Sequence, residues 1–188
     1  MAIPYRDIAE EETPGAAGYL KFVQREDGQA WLGALFLIDA RGEPIEFTHA
    51  RVRAPSSFLW RQDDLRSHCL GSLCAAMFDT CPVLPALIVC LADEVEPHLF
   101  SEYIRVDLPL ARMSDGDTPL SVSSAETLEE TPAGDAADDT VSVCWTDAPA
   151  AGSPARVLFD ALASRGMLVE PFSRAEAGLR EVYQDLFV

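Results

Sequence analysis

Asparagine is absent from the 188 residues, and lysine occurs once, at Lys21, against thirteen arginines. Together with abundant alanine, that bias points to a GC-rich, bacterial coding sequence and carries no information about function. No apolar run reaches the roughly 18–20 residues a membrane-spanning helix needs. The opening "MAIPYRDIAEEETPG" has neither the basic nor the apolar region of a secretory signal. The expectation is a cytoplasmic protein with no membrane contact. Cysteines 69, 74, 81, 90 and 144 are odd in number and show no CxxC spacing, which argues against a disulfide framework and a zinc site and favours free thiols. Also missing are a G-x-S-x-G elbow, a Walker loop, a G-x-G-x-x-G turn, an H-E-x-x-H helix and an EF-hand loop. No cofactor is expected.

Bases are missing from one whole stretch. Residues 114–147 hold nine acids and no lysine or arginine, and residues 1–17 hold four acids against one arginine. The rest of the chain carries eighteen acids and thirteen bases, so the net charge of −17 is concentrated in two segments. The remainder, with a net charge of −5, is mildly acidic. An acidic surface repels a phosphate backbone, and nucleic acid is therefore an unlikely partner on composition. Arg51, Arg53, Arg61 and Arg66 still fall close together and define one local basic stretch.

What is present reads as layered α/β structure. Residues 1–17 form a flexible acidic arm, and 18–188 a single domain. "GYLKFVQ" (18–24) alternates, with Leu20 and Phe22 on one side and Tyr19, Lys21 and Val23 on the other. Asp27-Gly28 marks a hairpin, "AWLGALFLID" (30–39) is apolar on both faces, and "PIEFTHARVR" (44–53) supplies a third strand. A helix follows, capped by Ser56 or Ser57 and ended by Pro82, with Leu65, Cys69, Leu70, Leu73, Ala76 and Met77 in one stripe. "ALIVCLA" (86–92) is a buried strand, and 100–110 a further extended segment. Residues 114–139 are rich in Ser, Thr, Ala, Pro and acids and are predicted to be a disordered insertion. Then come a strand at 140–145, a helix opened by Ser153-Pro154 and closed by Gly166, a short strand "MLVEP", and a last helix from Ser173 with Glu176 in an S-x-x-E capping box.

The predicted architecture is a mixed sheet, α/β or α+β, that opens with a three-stranded antiparallel meander and continues as helix–strand and strand–helix–strand–helix units. The first half resembles the ribonuclease-H-like fold in its element order, a likeness of topology alone.

That likeness makes a chemical demand. Two-metal phosphoryl hydrolysis needs carboxylates that hold two cations about 4 Å apart. The first and fourth strands should each contribute one. Asp93 suits the fourth strand, but the first offers Lys21, of the opposite sign, and Asp39 should lie at the far edge of the sheet. Asp93, Glu94, Glu96 and His98, which end the fourth strand, are the candidate ligands for a single divalent ion. The favoured alternative for them is a solvated loop. His49 and His68 read as structural, Cys74 as a core thiol, and Phe58 and Trp60 as residues of which at least one is exposed.

With no catalytic constellation in view, the expected function is a non-catalytic protein-binding or scaffolding subunit of a larger bacterial assembly, with a protein partner drawn to the acidic segment. The alternatives are a metal-dependent hydrolase or nuclease using the acids after the 86–92 strand, and a small-molecule-sensing domain.

Overall fold

Every residue of "AWLGALFLI" (Ala30–Ile38) is buried, and the sheet is built around this strand and its neighbours. A computed structural model of the chain describes residues 15–100, 104–114, 120–132 and 140–186. The strands are β1 (Ala17–Gln24), β2 (Ala30–Ile38), β3 (Pro44–Arg53), β4 (Leu87–Leu91), β5 (Leu110–Ser114), β6 (Thr127–Pro132) and β7 (Thr140–Trp145). They form one sheet in the order β3-β2-β1-β4-β5-β7-β6. β1, β2 and β3 make the antiparallel meander, β1, β4 and β5 are parallel, and β7 and β6 return antiparallel. The carboxyl ends of β1, β3, β4 and β5 consequently share one edge of the sheet, referred to below as the carboxyl edge.

Helix α1 (Gln62–Thr80) covers one face, and α2 (Pro154–Ser164) and α3 (Glu170–Val182) cover the other. The alternation of β1 sorts its side chains as the sequence requires. Leu20 and Phe22 pack with Leu35, Leu70, Leu73 and Met77 under α1, while Tyr19 packs with Phe36, Phe172 and Leu179 under α3. Gly33 lets α1 approach β2, since a Cβ there would meet Met77 Cε at 3.0 Å. Cys69, Cys74, Cys90 and Cys144 are buried free thiols, and burial pushes those of Cys74 and Cys90 well up.

Five expectations need correction. α1 is capped by neither Ser56 nor Ser57; a 3-10 turn at Ser57–Leu59 precedes it, and Arg61 stands at its N-cap without a side-chain bond. Residues 104–109 are not a strand, and pairing with β4 begins only at Leu110. The segment predicted to be disordered contains β6, held by β7 through pairs from Thr127↔Trp145 to Pro132↔Thr140. "MLVEP" is no strand: α3 already starts at Glu170 with Pro171 in its first turn, where a missing N–H costs nothing. Ser173 therefore lies inside that helix, and Glu176 bonds elsewhere. Of the predicted arm, residues 1–14 lie outside the described residues, as do 115–119 and 133–139 of the acidic segment.

Candidate functional site

The carboxyl edge gathers the candidate residues that end the fourth strand and the groups they bond. α1 follows β3 and precedes β4, so its amino terminus rises at this edge, and the turn after β4 stands beside it. Arg66 of α1 ties the two together: its Nη2 donates to the carbonyls of Asp93 and Glu94, each at 2.8 Å. Parallel pairing of β1 with β4 sets Leu20 beside Cys90. Lys21 follows at the end of that register and faces α3.

Glu94 is not solvated. Its Oε1 accepts from the Lys21 ammonium, and its Oε2 accepts from the Phe22 amide at 2.9 Å. The Lys21 and Glu94 side chains are each 13 % exposed. Glu176 of α3 completes the group, its Oε2 lying 3.4 Å from the same ammonium. Burial works to lower the Lys21 pKa, but the hydrogen bond and charge of Glu94, helped by Glu176, hold it above the ordinary lysine value. Burial pushes the Glu94 carboxyl up, and Lys21 and the Phe22 amide offset this only in part.

The other three candidates are placed differently. The Asp93 residue is exposed. Glu96 Oε2 pairs with His98 Nδ1 at 3.2 Å, and His98 Nε2 lies 3.4 Å from Ser67 Oγ on α1. Asp39 stands at the opposite edge, where its Oδ1 accepts from the amides of Arg41 and Glu43 at 2.8 and 2.9 Å. Among the described residues no three His, Cys, Asp or Glu side chains are grouped so as to hold a metal ion. The two-cation centre demanded by phosphoryl hydrolysis therefore does not fit the described residues of the β1–β4 junction.

A second buried ion pair supports the same edge. Arg112 in β5, 1 % exposed, donates from Nε and Nη2 to the two carboxylate oxygens of Glu126 at 2.7 and 2.9 Å. Its Nη1 donates to Val95 O at 2.9 Å and its Nη2 to Ser121 O at 2.6 Å. One guanidinium thus fastens the turn after β4 and the 120–126 loop to the sheet. Burial works to raise the Glu126 carboxyl, yet the bonds from Arg112 and the Ser123 amide leave it below the ordinary range. Sequence reading missed both residues. The available signal was an arginine inside the apolar "LPLARM"; Glu126 was hidden in the stretch predicted to be disordered.

Beside the junction the surface carries exposed aromatic rings with arginines and acids interspersed, Asp63 and Asp64 of α1 among them. Phe58 is 84 % and Leu59 74 % exposed, and Trp60 lies over His68 with ring centroids 4.9 Å apart. Arg53 at the end of β3 and Arg61 ahead of α1 are exposed on either side of them. A hollow of about 650 Å³ lined by Asp27, Gln29, Arg53, Pro55 and Ser56 opens between the β1–β2 hairpin and this strip. Another hollow, about 470 Å³ and lined largely by apolar residues including Phe78, Val83, Leu84, Val106 and Leu108, lies at the amino ends of β4 and β5. It is on the opposite edge from Lys21.

The fold of the described residues, a seven-stranded mixed sheet flanked by three helices, is similar to that of solved structures. The chain aligns over 94 % of its length with 87 % of Endonuclease V from Streptomyces avermitilis, at 14 % identity and a TM-score of 0.59. It aligns over 95 % of its length with 87 % of Endonuclease V from Bacillus subtilis, at 13 % identity and a TM-score of 0.60. No family model and no curated protein matches the sequence. These likenesses overturn two expectations: the non-catalytic protein-binding or scaffolding subunit, and the exclusion of nucleic acid as a partner. The physical reason is that a net charge, even that of the mildly acidic remainder of the chain, averages over surfaces of different local charge. The strip from Arg53 to Arg66 holds three arginines against Asp63 and Asp64. Among the described residues no helix is long and apolar enough to cross a membrane.

Proposed function

We propose that this protein works on nucleic acid, which it engages along the carboxyl edge of its sheet through the strip from Arg53 to Arg66. The observation that carries the reading is the nearly full-length likeness to two nucleases. The surface chemistry supports it. Exposed aromatic rings are platforms for unpaired bases, worth about 1–3 kcal/mol per stacked base, and Phe58 and Trp60 stand ready at that edge. Arginines neutralise phosphates and release counterions, and Arg53 and Arg61 flank the rings. The amino terminus of α1 adds a partial positive charge, which Asp63 and Asp64 in its first turn partly offset.

Of the readings drawn from the sequence, the hydrolase alternative agrees better with this fold than the adaptor did. Its ligand set at Asp93, Glu94, Glu96 and His98 does not assemble, so no hydrolytic step is assigned to those residues. The test is fluorescence anisotropy with labelled single-stranded and duplex oligonucleotides at low and moderate salt. Saturable binding is expected, weaker as salt rises and stronger for unpaired strands whose bases are free to stack. Failure of DNA and RNA, single-stranded or duplex, to bind at low salt would refute the proposal.

A further inference from the structure

A two-ion hydrolase leaves the space between its carboxylates to metal, water and substrate. Here the space between the ends of β1 and β4 holds an amine. We infer that Lys21 is a built-in counter-cation, its ammonium occupying the position between β1 and β4 where a divalent ion would otherwise be held. Lys21 comes one residue after the Leu20↔Cys90 pair, the last of the β1–β4 register. Both oxygens of Glu94 are committed, one to the ammonium and one to the Phe22 amide. Glu176 supplies a second carboxylate to the ammonium with one oxygen, while its other accepts from Arg180 Nη2 at 2.8 Å. A magnesium ion requires near-octahedral oxygens at about 2.0–2.1 Å and would have to evict the amine to reach these carboxylates. Lys21 is the sole lysine of the chain, placed where the short point charge of an ammonium suits a narrow gap better than a planar guanidinium. The positive charge at this junction is thus covalently attached, and the junction recruits no divalent ion.

The test uses the full chain and manganese alone as the probe, so its outcome is independent of nucleic-acid binding. Thermal unfolding and Mn²⁺ electron paramagnetic resonance are compared for wild type, Lys21→Met, Glu94→Gln and the double variant. A ligand that prefers the folded state raises its apparent stability. Wild type is expected to show no Mn²⁺-dependent rise in Tm. Lys21→Met, which keeps the length of the side chain and removes its charge, should unfold at a lower temperature. Millimolar Mn²⁺ should then raise its Tm by several degrees, with a saturable signal that Glu94→Gln removes. Saturable Mn²⁺ binding by wild type that Glu94→Gln abolishes would overturn the inference, and this arm stands even if Lys21→Met fails to fold. A folded Lys21→Met with no response to Mn²⁺ would overturn it equally.

Discussion

Arg112 and Lys21 each set a positive charge against a glutamate at the end of a parallel strand, yet the two pairs are built differently. Arg112 and Glu126 are 1 % and 2 % exposed, and the guanidinium fork meets both carboxylate oxygens and two backbone carbonyls. Lys21 and Glu94 are 13 % exposed, and the ammonium is shared with Glu176 on a different element. The first arrangement uses the planar, directional donors of arginine to fix three chain segments at once. The second uses a compact charge to neutralise a gap between two strands and a helix. Arginine serves as a fastener and lysine as a replaceable cation.

The largest expected effect breaks the fastener. Removing one partner of a buried pair leaves an uncompensated charge, at a cost of about 3–5 kcal/mol. Arg112→Met or Glu126→Ala should lower stability by that order in urea titrations, and Arg112→Lys should not restore it, because an ammonium cannot fill the fork. A loss equal to that of an exposed pair would refute the distinction. The lysine site should cost less. Lys21→Met is expected to lose about 1–3 kcal/mol, the penalty for leaving a buried group without its partner. A double-mutant cycle with Glu94→Gln should recover part of that loss as a coupling term.

Acid sharpens the comparison through protonation. Glu126, Glu129 and Glu176 are held below the ordinary carboxylate range; for Glu129 the leading cause is its hydrogen bond from Arg156, and for Glu176 that from Arg180. A depressed folded pKa contributes stability that is complete above the unfolded value and disappears as pH falls through the folded one. Urea midpoints should therefore fall on acidification below the usual carboxylate pKa, and Glu129→Gln should make that fall shallower. The smallest effect belongs to the pair Arg156–Asp160, at 2.8 Å within one helix, whose carboxylate is exposed and whose arginine keeps Glu129 as a second partner. Asp160→Ala should cost only about 0.3–0.5 kcal/mol. A larger value would mean that exposed and buried pairs are not separated in this protein as argued.

The parts of the fold legible in the sequence were those in which local pattern and tertiary environment agree. The two-faced apolar run of β2, the alternation in β1, and the Ser153-Pro154 start of α2, where Ser153 Oγ accepts from the Arg156 amide, belong to this class. β6 was illegible because its residues are polar and its order comes from pairing with β7 and from Glu129, which accepts from Trp145 Nε1 and Arg156. "MLVEP" misled because apolar residues followed by proline suit a strand end as well as a helix start. At the site, the opposite sign of Lys21 was readable, but its consequence was not. Only the fold shows Glu94 turning back to meet it while Asp93 is exposed and Glu96 pairs with His98. Nucleic acid was dismissed because the mildly acidic balance of the chain outside its two acidic segments outweighed the Arg53–Arg66 strip, whose rings and arginines become neighbours of the β1–β4 junction only in three dimensions.

Amide hydrogen exchange with and without a single-stranded oligonucleotide asks most directly whether the carboxyl edge is the face that meets nucleic acid. Binding should slow exchange across residues 53–66 and in the turn at 93–98, and leave the apolar hollow at 78–85 unchanged. Protection confined to that opposite hollow, or absent from 53–66 while the oligonucleotide is bound, would contradict the account.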